Sequence, residues 1–225
     1  TTDGAIQQTG DAAYVNGLRI EMNAATGIGN DAAISTNLSD EPVYHYTSKS
    51  NKDGTTRLTT DDRIKLASDY SHGGDPGAVY QYIGNPADRD LRVENYANTA
   101  LWEKVAHRPS LKAVTTSGKV QIDEIIGDLY VDQIVTGHDS RGSGSDVNLM
   151  AQGGIYVAQT FGGGWYTGLV QGGKVTLKAE HGGIGTSSAH PLQLDSGTLL
   201  KDHVEASARG DVYLKEIEGD LRLKK

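Results

Sequence analysis

The sequence predicts an all-β protein, a right-handed parallel β-helix into which a small β-rich subdomain is inserted. Three observations predict it. Short phrases of alternating apolar and polar residues recur behind small or acidic turn residues, many of them eight or nine positions apart. Glycine supplies 29 of 225 residues, and aromatic residues are 6 %, a mixture suited to short strands and tight turns. One long middle stretch carries none of these phrases.

The N-terminal segment, 1–40, is read as the first coils. It contains "VNGLRIEMNAATGIGNDAAISTNL" at 15–38. A longer phrase with the same order of parts returns at 172–194 as "GGKVTLKAEHGGIGTSSAHPLQL". Both run strand, small residues, a Gly-Ile-Gly turn, small polar residues and another apolar stretch.

The segment 41–109 breaks the pattern. It holds four of the five Pro, one of the two Trp and six of the eleven Tyr. "GAVYQYIG" and "DRIKLASDY" alternate like strands, and "YANTALWEKV" suits either a helical turn or a strand ending on Trp102. A bare loop of this length does not sit inside a compact domain. The segment is therefore read as an inserted aromatic-rich β subdomain.

The segment 110–225 is read as further coils, continuing beyond Lys225. Its phrases are "GKVQI" (118–122), "GDLYV" (127–131), "SDVNL" (145–149), "GGIYV" (153–157), "GKVTL" (173–177), "GDVYL" (210–214) and "GDLRL" (219–223). Each sets two apolar residues two apart, so one strand face is buried and the other wet. Val212, Leu214, Leu221 and Leu223 are expected inward, with Tyr213 and Arg222 outward. Gly210 and Gly219 are expected at equivalent corners, since Gly tolerates positive φ and Asp bonds nearby backbone. A strand of about five residues builds no core alone, but stacked coils bury each other's inward residues. An antiparallel sandwich is the competing fold. It predicts Asn-Gly or Asp-Gly hairpin turns, and 110–225 has none.

The stretch "GKVTLKAEHGGIGTSSAHPLQLDSG", followed by "VEASARGDVYLKEIEGDLRL", resembles the β-helical regions of very large secreted bacterial surface proteins, the filamentous-haemagglutinin-like adhesins and exoproteins. The likeness covers about half the chain and is a pattern of turns. It implies an extended extracellular shaft, covalently part of a longer chain, secreted or held at the bacterial cell surface. "VYQYIGN…DLRVENYANTALWEKV" resembles a short module of bacterial surface proteins, phage tail fibres and some carbohydrate-binding modules. That likeness implies a glycan or another surface protein as partner. Tyr80, Tyr82, Tyr96 and Trp102 are then candidate ligand-binding rings. The alternative is that they are the subdomain's core, since few aliphatic residues are present to fill it.

The residues argue against most other chemistry. A net charge of −8 disfavours nucleic acid. No apolar run approaches the roughly 20 residues that span a bilayer, so membrane insertion is not expected. There is no Cys, hence no disulfide or thiol nucleophile. "RGSGSDVNL" (141–149) imitates a calcium nonapeptide, with Arg141 and Asn148 out of pattern, and that motif binds only in tandem. No cofactor is expected, although calcium elsewhere on the acidic surface stays open. The seven His show no zinc spacing. Asp128, Asp146, Asp211 and Asp220 follow turn residues, where a backbone role suffices. No catalytic residue is assigned. A polysaccharide lyase or hydrolase is kept as the alternative, because β-helical enzymes cluster Asp, Arg or Lys on one outward face; a passive spacer is the other.

Overall fold

The computed structural model describes residues 4–10, 13–38, 44–50, 54–106, 108–137, 144–160, 164–197, 199 and 201–224. The protein is all-β, with nineteen strands and no helix among the described residues. The chain divides into two compact units, Thr1–Asp40 with Arg108–Lys225, and Glu41–His107.

The first unit is built from parallel pairings. One sheet runs, neighbour to neighbour, Val15–Asn16, Ile34–Asn37, Val120–Glu124, Val147–Ala151, Val175–Ala179 and Val204–Ala208. The other runs Arg19–Ala24, Ser110–Thr115, Leu129–Val135, Leu169–Gln171, Leu192–Asp195 and Leu214–Glu216, with Ile155–Val157 also pairing to Leu129–Val131. Isolated bridges extend that last ladder from Ile155 to Ile184 and on to Val212. Three ladders are thus visited in rotation along the chain: Val120, Leu129, Ile134; then Val147, Ile155, Val170; then Val175, Ile184, Leu194; then Val204, Val212, Glu216. Parallel neighbours need a connection that travels around, and here the other two ladders supply it.

Period-two patterning explains the core. Val120, Ile122, Val147, Leu149, Val175 and Leu177 are at most 1 % exposed, while Gln121, Asn148 and Thr176 between them are half-buried. Register puts like on like: Ile34, Ile122, Leu149, Leu177 and Ala206 form one apolar column. Each fully buried Val, Leu or Ile contributes about 1.5–3 kcal/mol.

The corners correct the expectation for Gly210 and Gly219. Gly210 belongs to a column in which each amide donates to the carbonyl of the glycine before it, Gly153 to Gly127, Gly182 to Gly153 and Gly210 to Gly182. A Cβ at Gly182 would lie 2.5 Å from the Gly154 amide nitrogen, so close approach demands Gly there, and one at Gly210 would be tight, 3.0 Å from the Gly183 nitrogen. Gly219 instead has φ +82 with open space around it. The two glycines do different jobs.

The C-terminal strand phrases correct a second expectation. Leu214 and Leu221 pack against the core, and Tyr213 and Arg222 are half-buried. Val212 and Leu223, however, are 46 % and 64 % exposed. Each bridges on one side, Val212 to Ile184 and Leu223 to Val204, and no described strand stacks on the other. Because these two partners belong to different ladders and both bridges are parallel, the closing Gly-Asp phrases do not form a hairpin. The echo between 15–38 and 172–194 is one of local shape. Gly29 and Gly185 both take positive φ, +71 and +76. Ile28 bridges to Val120 and Ile184 to Ile155, so the two copies lie one ladder apart.

A buried carboxyl clips the first unit. Glu124 accepts from the Thr36 hydroxyl at 2.8 Å and from the Leu38 amide at 3.0 Å. Burial pushes its carboxyl above the ordinary value, partly offset by those bonds. The folded state therefore holds this proton more tightly than the unfolded chain. The resulting stability is fully present below about pH 4 and is lost as pH rises through the folded value. Glu124→Gln, which mimics the neutral form, is expected to remove that component. Urea midpoints measured across pH should show wild type losing stability relative to the variant as pH rises. A constant difference would contradict it.

In the second unit, Tyr46–Thr47 pairs in parallel with Arg63–Lys65, which pairs antiparallel with Val79–Tyr82, which pairs antiparallel with Trp102–Lys104. Thr56–Leu58 and Ala87–Arg89 form a separate antiparallel pair. "GAVYQYIG" and "DRIKLASDY" supply strands as predicted. "YANTALWEKV" resolves into turns, with Leu101 N donating to Asn98 O at 3.0 Å, and then the strand at Trp102.

Candidate functional site

The four rings nominated from the sequence lie in the core of the second unit. Tyr80, Tyr82, Tyr96 and Trp102 are 6, 1, 1 and 2 % exposed. Trp102 sits with ring centroids 4.4 Å from Tyr96 and 5.1 Å from Tyr82, and Tyr80 lies 5.6 Å from Tyr96. Their planes are tilted or edge-on, so they form no flat platform. Their polar tips are also occupied. Tyr82 donates to the Asn85 carbonyl at 2.7 Å, Tyr96 to the Leu91 carbonyl at 3.1 Å, and the Trp102 indole to Glu94 at 3.3 Å; Tyr80 accepts from the Asp75 amide at 3.0 Å. A ring with no open face cannot stack on a sugar. The rings bind each other because this unit's buried aliphatics are few, Leu58, Ile64, Leu66, Val79 and Leu91.

The site with chemical content lies on the outward face of the second sheet of the first unit. Leu111 pairs with Val131 and Lys112 with Gln133, so Asp132 is the extra residue of a β-bulge. A bulge bends its strand and re-aims a side chain. Asp132 borders a depression of about 450 Å³ with Arg19, Glu21, Ser110 and Lys112. The Lys112 ammonium is 3.4 Å from Glu21, Asn23 donates to the same Glu21 oxygen at 3.3 Å, and the Arg19 guanidinium donates to the Tyr166 hydroxyl at 3.1 Å.

The two carboxyls titrate in opposite directions. Burial pushes Asp132 up, and Glu21 adds to the push against Lys112 and Arg19. The Asn23 hydrogen bond, then Lys112, hold Glu21 down. Carboxyls driven apart in one depression are the arrangement from which acid and base roles are made. Arg19 and Lys112 add positive charge beside them. Such a face can hold a polar ligand.

This site escaped the sequence reading because its residues come from four distant stretches. One signal was present. In "GDLYVDQIV" the alternation stumbles, with two polar residues, Asp132 and Gln133, in succession, and that break marks the bulge. Of the acidic turn residues, Asp128 has the backbone role expected, accepting from the Gly154 amide at 2.7 Å and also from the Tyr130 hydroxyl at 3.2 Å, whereas the bond shown for Asp211 is from a side chain, the Tyr213 hydroxyl at 3.2 Å. Arg141 to Ser143 of the calcium-like phrase lie outside the described residues. No group of three or more His, Asp or Glu among the described residues could hold a metal ion. No helix among them is long and apolar enough to cross a membrane. No protein-family model, curated protein or solved structure matches the chain.

Proposed function

We propose that this chain is an extracellular structural and adhesive segment of a large bacterial surface or secreted protein. In this reading the first unit is a right-handed parallel β-helix serving as a shaft, and the second unit is a contact module carried by it. The observation that carries the proposal is the rotation of the chain through three parallel ladders, coil upon coil. Repetition of that kind gives length and rigidity without a large central core. The resemblance of 172–223 to surface-adhesin repeats supports the location. Adhesion is tested with the purified protein on immobilised glycans, matrix proteins and cells. Saturable binding to at least one is expected, and binding to none would leave only the spacer.

A second reading, a polysaccharide-active enzyme, is favoured by the pairing of Asp132 and Glu21 beside Lys112 and Arg19. It predicts that acidic polysaccharides are shortened by the protein and that Asp132→Asn abolishes the shortening with the fold intact. Unchanged polymer length after prolonged incubation would exclude it.

A further inference from the structure

The chain has no cysteine with which to staple its strands, but the first unit sets two tyrosines side by side. Tyr130 and Tyr156 are directly paired in register, between Leu129–Val135 and Ile155–Val157. Leu129, Val131, Ile155 and Val157 on either side of them fill the core, so by the alternation of a strand the two rings lie on the outer face. Both tyrosines are half-buried, within reach of solvent. The ring centroids are 6.1 Å apart and the planes 47° from parallel, so the ring edges come closer than the centres.

Each ring is held by a different neighbour. The Tyr130 hydroxyl donates to Asp128 Oδ2 at 3.2 Å, while Asp128 Oδ1 accepts from the Gly154 amide at 2.7 Å. The Tyr156 ring lies against Gly154, where a Cβ would be 2.3 Å from its Cζ. The Tyr156 hydroxyl accepts from the Gly183 amide at 3.2 Å. Among the described residues, the other tyrosines in ring contact with one another are shut away. Tyr96 lies 5.3 Å from Tyr70 and 5.6 Å from Tyr80, but the three are 1, 9 and 6 % exposed. Tyr213 repeats the bond to an aspartate, Asp211. One position beyond the bridge from Val212 to Ile184, however, its neighbouring strand offers Gly185 and no ring.

Two accessible phenols fixed in contact suit one reaction, the coupling of ring to ring. Each ring gives up one electron, and each hydroxyl one proton. Burial, and then Asp128, push the Tyr130 hydroxyl up to about 12, so it enters as a phenol and its proton leaves with the electron. Asp128 already accepts that hydrogen bond and takes the proton; the Tyr156 proton passes to water. The two phenoxyl radicals form a carbon–carbon bond between positions ortho to their oxygens. The hydrogens on those two carbons then move to the oxygens and restore both phenols. Hydrogen peroxide takes up the two electrons and two protons and leaves as two waters.

We propose that Tyr130 and Tyr156 are an oxidative cross-linking site, at which a haem peroxidase using hydrogen peroxide joins the two rings into dityrosine. The link ties neighbouring strands covalently and closes a loop in the unfolded chain, which raises stability as other cross-links do. It goes beyond the adhesive and enzymatic readings and depends on neither.

The test treats the purified 225-residue protein, at high dilution, with a haem peroxidase and hydrogen peroxide, and isolates the monomer. Dityrosine fluorescence is expected in that monomer. Its digest should contain the peptides of Tyr130 and Tyr156 joined, at their summed mass less two hydrogens, and its urea midpoint should rise above that of untreated protein. Tyr130→Phe and Tyr156→Phe should each abolish the joined pair. Both keep a ring, and far-UV circular dichroism checks that the fold is unchanged. Tyr213→Phe should form the pair like wild type, and Asp128→Asn, which keeps the shape but takes no proton, should form it more slowly. The proposal is overturned if dityrosine in the monomer maps to other tyrosines, if either Tyr130→Phe or Tyr156→Phe retains the joined pair, if Tyr213→Phe abolishes it, or if links form only between molecules.

Discussion

Trp102→Ala is expected to destabilise the second unit by about 3–5 kcal/mol. The indole is 2 % exposed, wedged between Tyr82 and Tyr96. A unit of 67 residues has a total stability on the order of 3–10 kcal/mol, so the loss can approach all of it. Trp102→Phe keeps a ring but gives up the indole bond to Glu94. Its expected cost is smaller, about 1–2 kcal/mol. Denaturation followed by near-UV circular dichroism reads the tyrosine cluster directly. Trp102→Ala should lower the stability of the unit and any binding it mediates together. If Trp102→Ala left the unfolding transition in place and abolished binding alone, the ring would be a contact residue after all.

The tyrosine cluster shows where sequence reading stops. A tyrosine has an apolar body and a polar tip, so the same "VYQY" serves a core or a sugar platform equally well. The decision lies in which turn carbonyls answer the hydroxyls, here Asn85 and Leu91, and no local pattern places them. The strand phrases were legible for the opposite reason. Val120 and Ile122, or Val175 and Leu177, announce an inward face within five residues, and turn glycines bound them. Patterning still says only which face would be buried. Val212 and Leu223 keep the period and stay exposed, because burial needs a neighbour on both sides. The bulge site was the least legible. Arg19 and Lys112 are brought together across the entire second unit, and pairing over that separation is a property of register.

Leu149→Ala is expected to cost about 2–5 kcal/mol, while Leu223→Ala should stay within about 0.5 kcal/mol of wild type. The two positions share residue type and strand period, and differ in their neighbours. Leu149 is fully buried, stacked in register between Ile122 and Leu177. Truncating it opens a cavity that the strands on both sides must close, and a column fixed by parallel hydrogen bonds has little freedom to collapse. Leu223 bridges to Val204 alone and is 64 % exposed, so truncation removes surface that water already reaches. The same reasoning orders hydrogen exchange: slowest at 147–151 and 175–179, faster at 214–216 and 221–223. The middle strands have a parallel neighbour on either side, and protection rises with the number of such neighbours. Equal protection at 147–151 and 221–223, together with equal costs for the two truncations, would mean that the C-terminal residues are covered as fully as the middle strands. The exposed Val212 and Leu223 would then have to be buried in solution.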